Sequence, residues 1–407
     1  MIFVGNDWAE DHHDVCVMDE SGEVLAIRRF GHGIDGVAMF HALMAEFVSD
    51  SGDVVVGVET DRGMWVEALV AAGYLVYAVN PKSASRYREG VTVSGAKSDK
   101  ADAKVLADMV RTNRHVHRLV AGDSDLGHEI RIIARTHQTL IWERQRHRSR
   151  LRAGLLEYYP GALATFDDCA DRDAVSVLAV APTPAQGARL TTAQIKKALR
   201  SGGRQRYLDD TAKRIRDGLR IDQLGASDGV TAGFAELTVS VTAIIATLNT
   251  QISRLADQLD ERFRTHPDAE IYLSMPGIGV VYGARILGEF GDEPDRYIDA
   301  KAFRNYGATS PITRESGRRR FVEARWVRNN RLHDAIIGAA GKAIQKSPGA
   351  RAFFEKQTAK GDDYNKAIRA VANKLIGQLY GCLKSGTLYN EDTAWRMHQT
   401  TETVKAA

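Results

Sequence analysis

Apolar and polar positions along the first 110 residues switch between two periods. Ile2 to Asn6 is a short apolar run, His13 to Met18 alternates, and Val24 to Phe30 resumes after the Ser21-Gly22 turn, which predicts a three-strand meander. Val37, Phe40, Leu43, Met44 and Phe47 then follow a 3.6-residue period and predict a helix. Val54 to Val58 reads as a buried strand, Met64 to Ala72 as a helix, and Leu75 to Val79 as a strand stopped by Asn80-Pro81. The order β-β-β-α-β-α-β-α implies an α/β domain whose first strands are antiparallel and whose later strands join by helical crossovers. That is the order of a ribonuclease H-like fold.

Beyond this domain the periodicity becomes helical. Ser124 to Tyr159 is proline-free and carries Leu126, Ile130, Ile133, Leu140, Leu151 and Leu155 at helical spacing, until Pro160-Gly161. Residues 160–230 are less regular and contain Thr191-x-x-Gln194, a capping-box pattern ahead of a basic helix that Gly202-Gly203 stops, so a small helical insert is expected. From Phe234 to Arg264, Leu237, Val241, Ile244, Leu248, Ile252, Leu255 and Leu259 recur at near-heptad intervals and suggest a coiled-coil seam. The last 140 residues read as mainly helical, with loops at Met275 to Gly279 and Thr309 to Gly317. Three regions follow: 1–115, 116–268 with its insert at 160–230, and 269–407. That division agrees with a 407-residue length at about one domain per 150 residues.

Composition adds little, but the distribution of charge adds much. With 44% hydrophobic and 26% charged residues the chain has the composition of a globular protein. No apolar run approaches the roughly 18 residues of a bilayer span, so no membrane is expected as a partner. Cys16, Cys169 and Cys382 are too few and too scattered for a disulfide framework, which fits a reducing cytoplasm. Arg131, Arg135, Arg144, Arg146, Arg148, Arg150 and Arg152 face a single acid, Glu143, within 131–152, a local charge of +6. Residues 304–331 carry eight arginines, among them Arg314, Arg318, Arg319 and Arg320, against Glu315 and Glu323, again +6. The whole chain is only +3, so everything outside these segments sums to −9. Arginine forks match phosphate oxygens and release counterions, so both segments are candidate nucleic-acid surfaces, although either alone could equally be a solvated helix face.

Asp7 falls just after the first predicted strand and Glu59 just after the fourth, where acids on one sheet edge can converge. Asp99 and Asp102 stand three residues apart at a predicted helix start, with Cβ atoms roughly 5 to 6 Å apart on one face. Each singly could favour a helix N-terminus or cap a turn. Together, on this strand-helix order, they form a set of hard oxygen donors suited to two Mg²⁺ ions. Such ions, about 3.5 to 4 Å apart, clamp the attacking and leaving oxygens of a phosphodiester. His12, His13 and Cys16 are a weaker metal candidate, because alternate side chains on a strand diverge. Gly277-Ile278-Gly279, before an apolar helix, could offer N–H groups to a phosphate or simply make a helix-entry turn.

Thr313-Arg314-Glu315-Ser316-Gly317-Arg318-Arg319-Arg320 sets a serine among arginines in an expected loop. Chemistry alone leaves Ser316 either a loop serine or a nucleophile whose developing charge guanidiniums neutralise. The order and spacing of several short motifs go further. Gly5-Asn6-Asp7-Trp8-Ala9, Val58-Glu59-Thr60, Asn80-Pro81, Ala96-Lys97-Ser98-Asp99-Lys100-Ala101-Asp102-Ala103, Met275-Pro276-Gly277-Ile278-Gly279, Gly291-Asp292 and Glu315-Ser316-Gly317 resemble the DEDD transposases of the insertion-sequence-110 family over most of the chain. The resemblance implies an N-terminal RuvC-like domain, a long-helix linker and a C-terminal transposase domain. It further implies that Asp7, Glu59, Asp99 and Asp102 bind Mg²⁺, that Ser316 is the nucleophile forming a phosphoserine, that a noncoding bridge RNA guides recognition of donor and target DNA, and that the protein works as a dimer or tetramer. Glu10, Asp61-Arg62-Gly63 and Val327-Arg328-Asn329-Asn330 depart from the usual family pattern. A structure-specific nuclease with an inert Ser316 and a non-catalytic nucleic-acid-binding protein are the competing readings.

Overall fold

The computed structural model describes residues 1–91, 98–120, 122–294, 296–316, 319–325 and 328–395, with the backbone alone at 91, 314, 316 and 320. Ala96, Lys97, Gly317, Arg318 and Val327 lie outside these residues. Two compact units form, Met1–Ser124 with Asp292–Ile298, and Asp125–Gly291 with Asp299–Ala407.

The first unit contains β1 (Ile2–Trp8), β2 (His12–Met18), β3 (Val24–Gly31), α1 (Ile34–Ala45), β4 (Val54–Val58), α2 (Met64–Ala71), β5 (Leu75–Ala78), α3 (Pro81–Val91), α4 (Asp99–Asn113) and β6 (Arg118–Leu119). The sheet order is β3-β2-β1-β4-β5-β6, antiparallel through the meander, parallel from β1 to β4 to β5, and antiparallel again at β6. The strand-helix order read from periodicity is therefore present, with a two-residue edge strand, β6, that has no apolar run to signal it.

Alternation along the strands assigns the two faces. Ile2, Val4, Val54, Val56 and Val58 pack under α1 and α2 with Phe40, Met44, Trp65 and Leu69, whereas Phe3 and Val55 meet Ala103, Leu106, Ala107 and Val110 of α4. On the α4 face two glycines pair across parallel strands, Gly5 opposite Gly57. A Cβ on Gly5 would lie 1.8 Å from the Ala103 carbonyl oxygen, and one on Gly57 2.8 Å from that of Leu106. Hence α4 rests directly on the backbone of β1 and β4. Gly5→Ala is expected to lift α4 and cost about 1 to 3 kcal/mol or more, as overpacking does, measurable as a lower urea midpoint.

The second unit begins with α5 (Asp125–Tyr158), close to the expected span. The Pro160-Gly161 pair both ends that helix and opens the next, α6 (Pro160–Thr165), with Pro160 in the first turn, where a missing N–H is harmless. The insert continues as α7 (Arg172–Val180), α8 (Pro184–Arg189), α9 (Thr192–Ser201) and α10 (Leu208–Leu219). The Thr191/Gln194 capping box forms as expected, and a second one forms at Thr183/Gln186. Leu178, Ile195, Leu199 and Ile215 bury against Leu151, Leu155 and Tyr158 of α5.

The helix α11 (Asp228–Arg264) packs along α5 of its own chain, but not on the expected seam. Val241, Leu255 and Leu259 are buried, while Ile244 is 41% exposed, and the buried line in the N-terminal half runs through Thr238, Thr242, Ile245 and Asn249. The polar members are satisfied, Thr238 by the Tyr158 hydroxyl at 2.8 Å and Asn249 by donating to the Ala170 carbonyl at 3.1 Å. An apolar seam search passes over such positions because it scores them as surface.

The remainder comprises α12 (Ala269–Ser274), α13 (Val280–Phe290), α14 (Ala300–Tyr306), β7 (Ile312–Ser316), β8 (Arg319–Glu323), α15 (Asn330–Lys346), α16 (Pro348–Ala359) and α17 (Tyr364–Ser385). The helix α13 packs on both α5 and α11, so the regions expected at 116–268 and 269–407 share one compact unit. Gly277, at φ 81°, presses against α15, where a Cβ would come within 2.2 Å of the Ala339 carbonyl oxygen. Close packing on α15 thus requires glycine at 277, and Gly279 stands at the N-cap of α13 as a helix-entry turn predicts. The segment expected as a loop at 309–317 instead contributes β7 to an antiparallel hairpin, in which Ser316 pairs with Arg319. β-branched Ile312, Thr313 and Val322 favour that extended form, although Thr313, Glu315, Phe321, Val322 and Glu323 are all exposed and so leave no alternating pattern.

Candidate active site

Two residues beyond the Gly5/Gly57 pair, on the same face of the sheet, come Asp7 and Glu59 at the C-terminal ends of β1 and β4. The helix that the glycines admit brings Asp99 and Asp102 in its first turn, after Ser98 caps it by accepting from the Ala101 N–H at 3.3 Å. A repeated glycine-x-acid spacing, Gly5-Asn6-Asp7 and Gly57-Val58-Glu59, is the sequence signal for this construction.

Asp7 sits at the electrostatic centre of the group. Burial first, then the charges of Asp102, Glu59 and Asp99, push its carboxyl up to about 6. Two of the acids already meet arginines: Asp102 pairs with Arg88 of α3, and Asp99 stands 3.5 Å from Arg29. Arg29 also donates two hydrogen bonds to buried Asp14, at 3.1 and 2.7 Å. Among the described residues, His12, Asp14 and Asp99 form a group of donor atoms within 4.8 Å of one another, and Arg29 meets its two carboxylates. Sequence reasoning missed Asp14, Arg29 and Arg88, whose roles depend on pairing across strands and helices.

His12 and His13 diverge as a strand requires. His12 lies 3.4 Å from Asp14, whereas buried His13 stacks on Trp65 with ring centroids 3.7 Å apart and bonds to Asn6 and His32. Burial, with the charges of His32 and His12, lowers the His13 pKa to about 4, so the ring is neutral near pH 7.

The arginines of α5 are less free than local charge suggests. Arg135 makes a two-pronged pair with buried Glu289 at 2.7 and 2.8 Å, Arg148 meets Asp168 at 2.6 Å, Arg146 pairs with Glu143, and Arg144 donates to Asn249 at 3.2 Å. Arg131 is half-buried where α13 crosses, its Cα 2.8 Å from where a Cβ on Gly288 would stand. Arg150 and Arg152 are exposed. Of the second segment, Arg319 is exposed on β8, Arg314 and Arg320 are hairpin positions, and Arg318 lies outside the described residues.

Residues 4–160, which hold all four acids, match a transposase family model of the IS110 DEDD type, and residues 269–355, which hold Ser316, match the model described as "Transposase IS116/IS110/IS902 family". The chain is 38% identical over 399 residues to the "Mini-circle putative transposase for IS117" of Streptomyces coelicolor, covering 97% of this chain and 96% of that protein. It is also 27% identical over 413 residues to the IS900 insertion element 42 kDa protein of Mycobacterium paratuberculosis, covering 96% and 98%. The IS110 insertion element 43.6 kDa protein of Streptomyces coelicolor is 27% identical over 403 residues, covering 95% of each chain.

Proposed function

This chain belongs to the IS110 family of transposases, and from that premise we propose that it is an RNA-guided, Mg²⁺-dependent recombinase acting through a phosphoserine. The observation that carries the proposal is the convergence of Asp7, Glu59, Asp99 and Asp102 where β1, β4 and α4 meet, with Asp7 pushed up to about 6 by burial and then by the other three acids. A half-buried carboxyl pushed up by burial and by neighbouring acids marks a place where a cation would be stabilised, and hard oxygen ligands suit Mg²⁺. When bound, the metal ions supply stabilisation of the charge that develops on the phosphodiester. Asp7 and Glu59 would hold the ions from strand ends, and Asp99 and Asp102, which meet Arg29 and Arg88 in this structure, would complete the donor set from α4.

In the proposed reaction the Ser316 oxygen bonds to phosphorus as a phosphorus–oxygen bond of the DNA backbone breaks, and the serine proton ends on the released hydroxyl. A second DNA end reverses the step and frees the serine. The Glu-Ser-Gly match and the family assignment of residues 269–355 support this role. Folding and pairing of a noncoding RNA would set the target. Pairing with that RNA, rather than a groove-reading protein surface, would then set most of the sequence recognised in donor and target DNA. A homo-oligomer is supported by apolar side chains that α11 leaves uncovered, Val239 and Ile244 being 42% and 41% exposed. The test is strand exchange by purified protein on DNA ends of the element, with and without RNA transcribed from its flank, in Mg²⁺ or EDTA. Exchange should require RNA and metal together. Simple cutting without an adduct would instead support the nuclease reading.

The part of α5 open to nucleic acid narrows to Arg150 and Arg152, with Arg146 beside them. Arg150→Ala with Arg152→Ala should weaken binding and reduce the slope of log affinity against log salt by roughly 0.7 to 0.9 per lost phosphate contact. Arg135→Ala should instead lower stability, because it strands buried Glu289.

A further inference from the structure

We propose that the cavity on the α2 face of the sheet, beside Asp7, is a subsite for one unstacked base of the DNA strand on which the carboxylates act. The inference rests on the reading of those carboxylates as a DNA-cleaving centre.

The placement follows from strand alternation. Asp7 turns toward α4, and Asn6, its neighbour, turns to the opposite face, into a cavity of about 540 Å³. That size lies within the roughly 300 to 1,000 Å³ of small-molecule pockets. Asp7 and Glu59 also line it, so cavity and carboxylates share a wall at the ends of β1 and β4. A nucleotide whose phosphate reached the acids would carry its base to this opening.

The interior is built for a polar, flat ligand. Asn6 and Trp65 are each only 3% exposed, yet Asn6 Oδ1 and Trp65 Nε1 find no hydrogen-bond partner among the described residues. Native interiors rarely leave such atoms unsatisfied. The surrounding bonds fix which atoms remain. The Asn6 amide nitrogen donates to His13 Nδ1 at 3.3 Å, which leaves its oxygen as an acceptor, and His13 Nε2 then donates to His32 Nδ1 at 2.9 Å. His13 is locked against the Trp65 face, their planes 12° apart. One acceptor and one donor thus stand unsatisfied within the lining of a cavity walled by aromatic rings, and a base edge that pressed into that lining offers the complementary groups.

The rim adds stacking surface. Trp8, 54% exposed, and Met64, 76% exposed, stand beside the anionic centre, where large apolar side chains have no evident packing role. Enzymes that unstack a base recover the cost by stacking and edge hydrogen bonds. DNA rather than RNA is favoured because the shared wall ties the base to the strand being cut. One position flanking the cleavage point would then be read by the protein itself.

The test uses the full chain with its RNA and element-end DNA. In an Asp102→Asn background that binds without cutting, 2-aminopurine is placed in turn at each nucleotide flanking the cleavage point. One position should brighten on binding, and the signal should fall with Trp8→Ala or with the isosteric Asn6→Asp. In the otherwise native protein, Trp8→Ala should slow cleavage about tenfold, the loss expected for one stacked base, and an abasic site at that position should add no further loss. Cleavage by the native protein with no brightening at any position overturns the subsite and leaves the carboxylate reading standing. Brightening unchanged in both variants, or seen only when the 2-aminopurine is moved from the DNA into the RNA, overturns it too. Absence of cleavage by the native protein overturns both readings together.

Discussion

Asp7→Asn is expected to eliminate strand cleavage and joining while making the metal-free protein more stable above pH 6. The loss of activity should be at least about a hundredfold, since even groups that only orient a metal ligand cost 10- to 100-fold. The stability gain has a defined sign. In the folded protein the Asp7 carboxyl is raised from 3.8 to about 6, by burial and then by Asp102, Glu59 and Asp99, so folding favours its protonated form. That contribution is fully present below about pH 4 and is lost as pH rises through 6. At pH 8 the ionised Asp7 works against the fold, and asparagine removes the penalty, on the order of 1 kcal/mol after solvent screening. Thermal melts in EDTA should show the variant ahead at pH 8 and level with the native protein below about pH 4.

Glu59→Gln, Asp99→Asn and Asp102→Asn should reproduce the loss of activity, and full strand transfer by the Asp99/Asp102 double variant would remove the metal-site proposal. Saturating Mg²⁺ should reverse the stability order at pH 8, because the native carboxylate then binds the cation and the amide does not. The two readouts move in opposite directions, so misfolding cannot account for both.

How much of this was readable in the sequence depends on the range over which each signal acts. The strands and helices of the first unit were legible because sheet faces and helix stripes are set by neighbours two to four positions away. The acids were legible because they fall at ends of those elements, and the Gly5/Gly57 pair marks where α4 must lie. The arginines of α5 were misleading because their partners lie elsewhere in the chain: Asp168 is 20 residues from Arg148, and Glu289 is 154 from Arg135. A local charge sum counts neither. The α11 seam failed for the related reason that Thr238 and Asn249 are buried only because Tyr158 and Ala170 satisfy them. The cavity beside Asp7 draws on β1, β2 and α2 and on two atoms defined by what they lack, which no linear pattern expresses.

Ser316→Ala should remove the covalent protein–DNA adduct and recombination together, with nucleic-acid binding unchanged. Loss of a nucleophile costs on the order of 10⁴-fold or more, because no neighbouring group can replace the bond it makes. Ser316 ends β7 opposite Arg319, a backbone position held by the hairpin ladder, and alanine retains that backbone. The unit that contains the carboxylates does not contain Ser316, and the chain carries uncovered apolar side chains on α11. These features motivate a site completed by two chains, the quartet from one and Ser316 from the other. Mixing equal amounts of Asp7→Asn and Ser316→Ala proteins tests it. In a symmetric dimer half of the molecules are mixed, and each mixed dimer holds one site with both defects and one with neither, so about a quarter of all sites should form adducts. Each variant alone should form none. If the mixture is as inactive as its components, each chain supplies its own quartet and its own serine, and the shared-site arrangement is excluded.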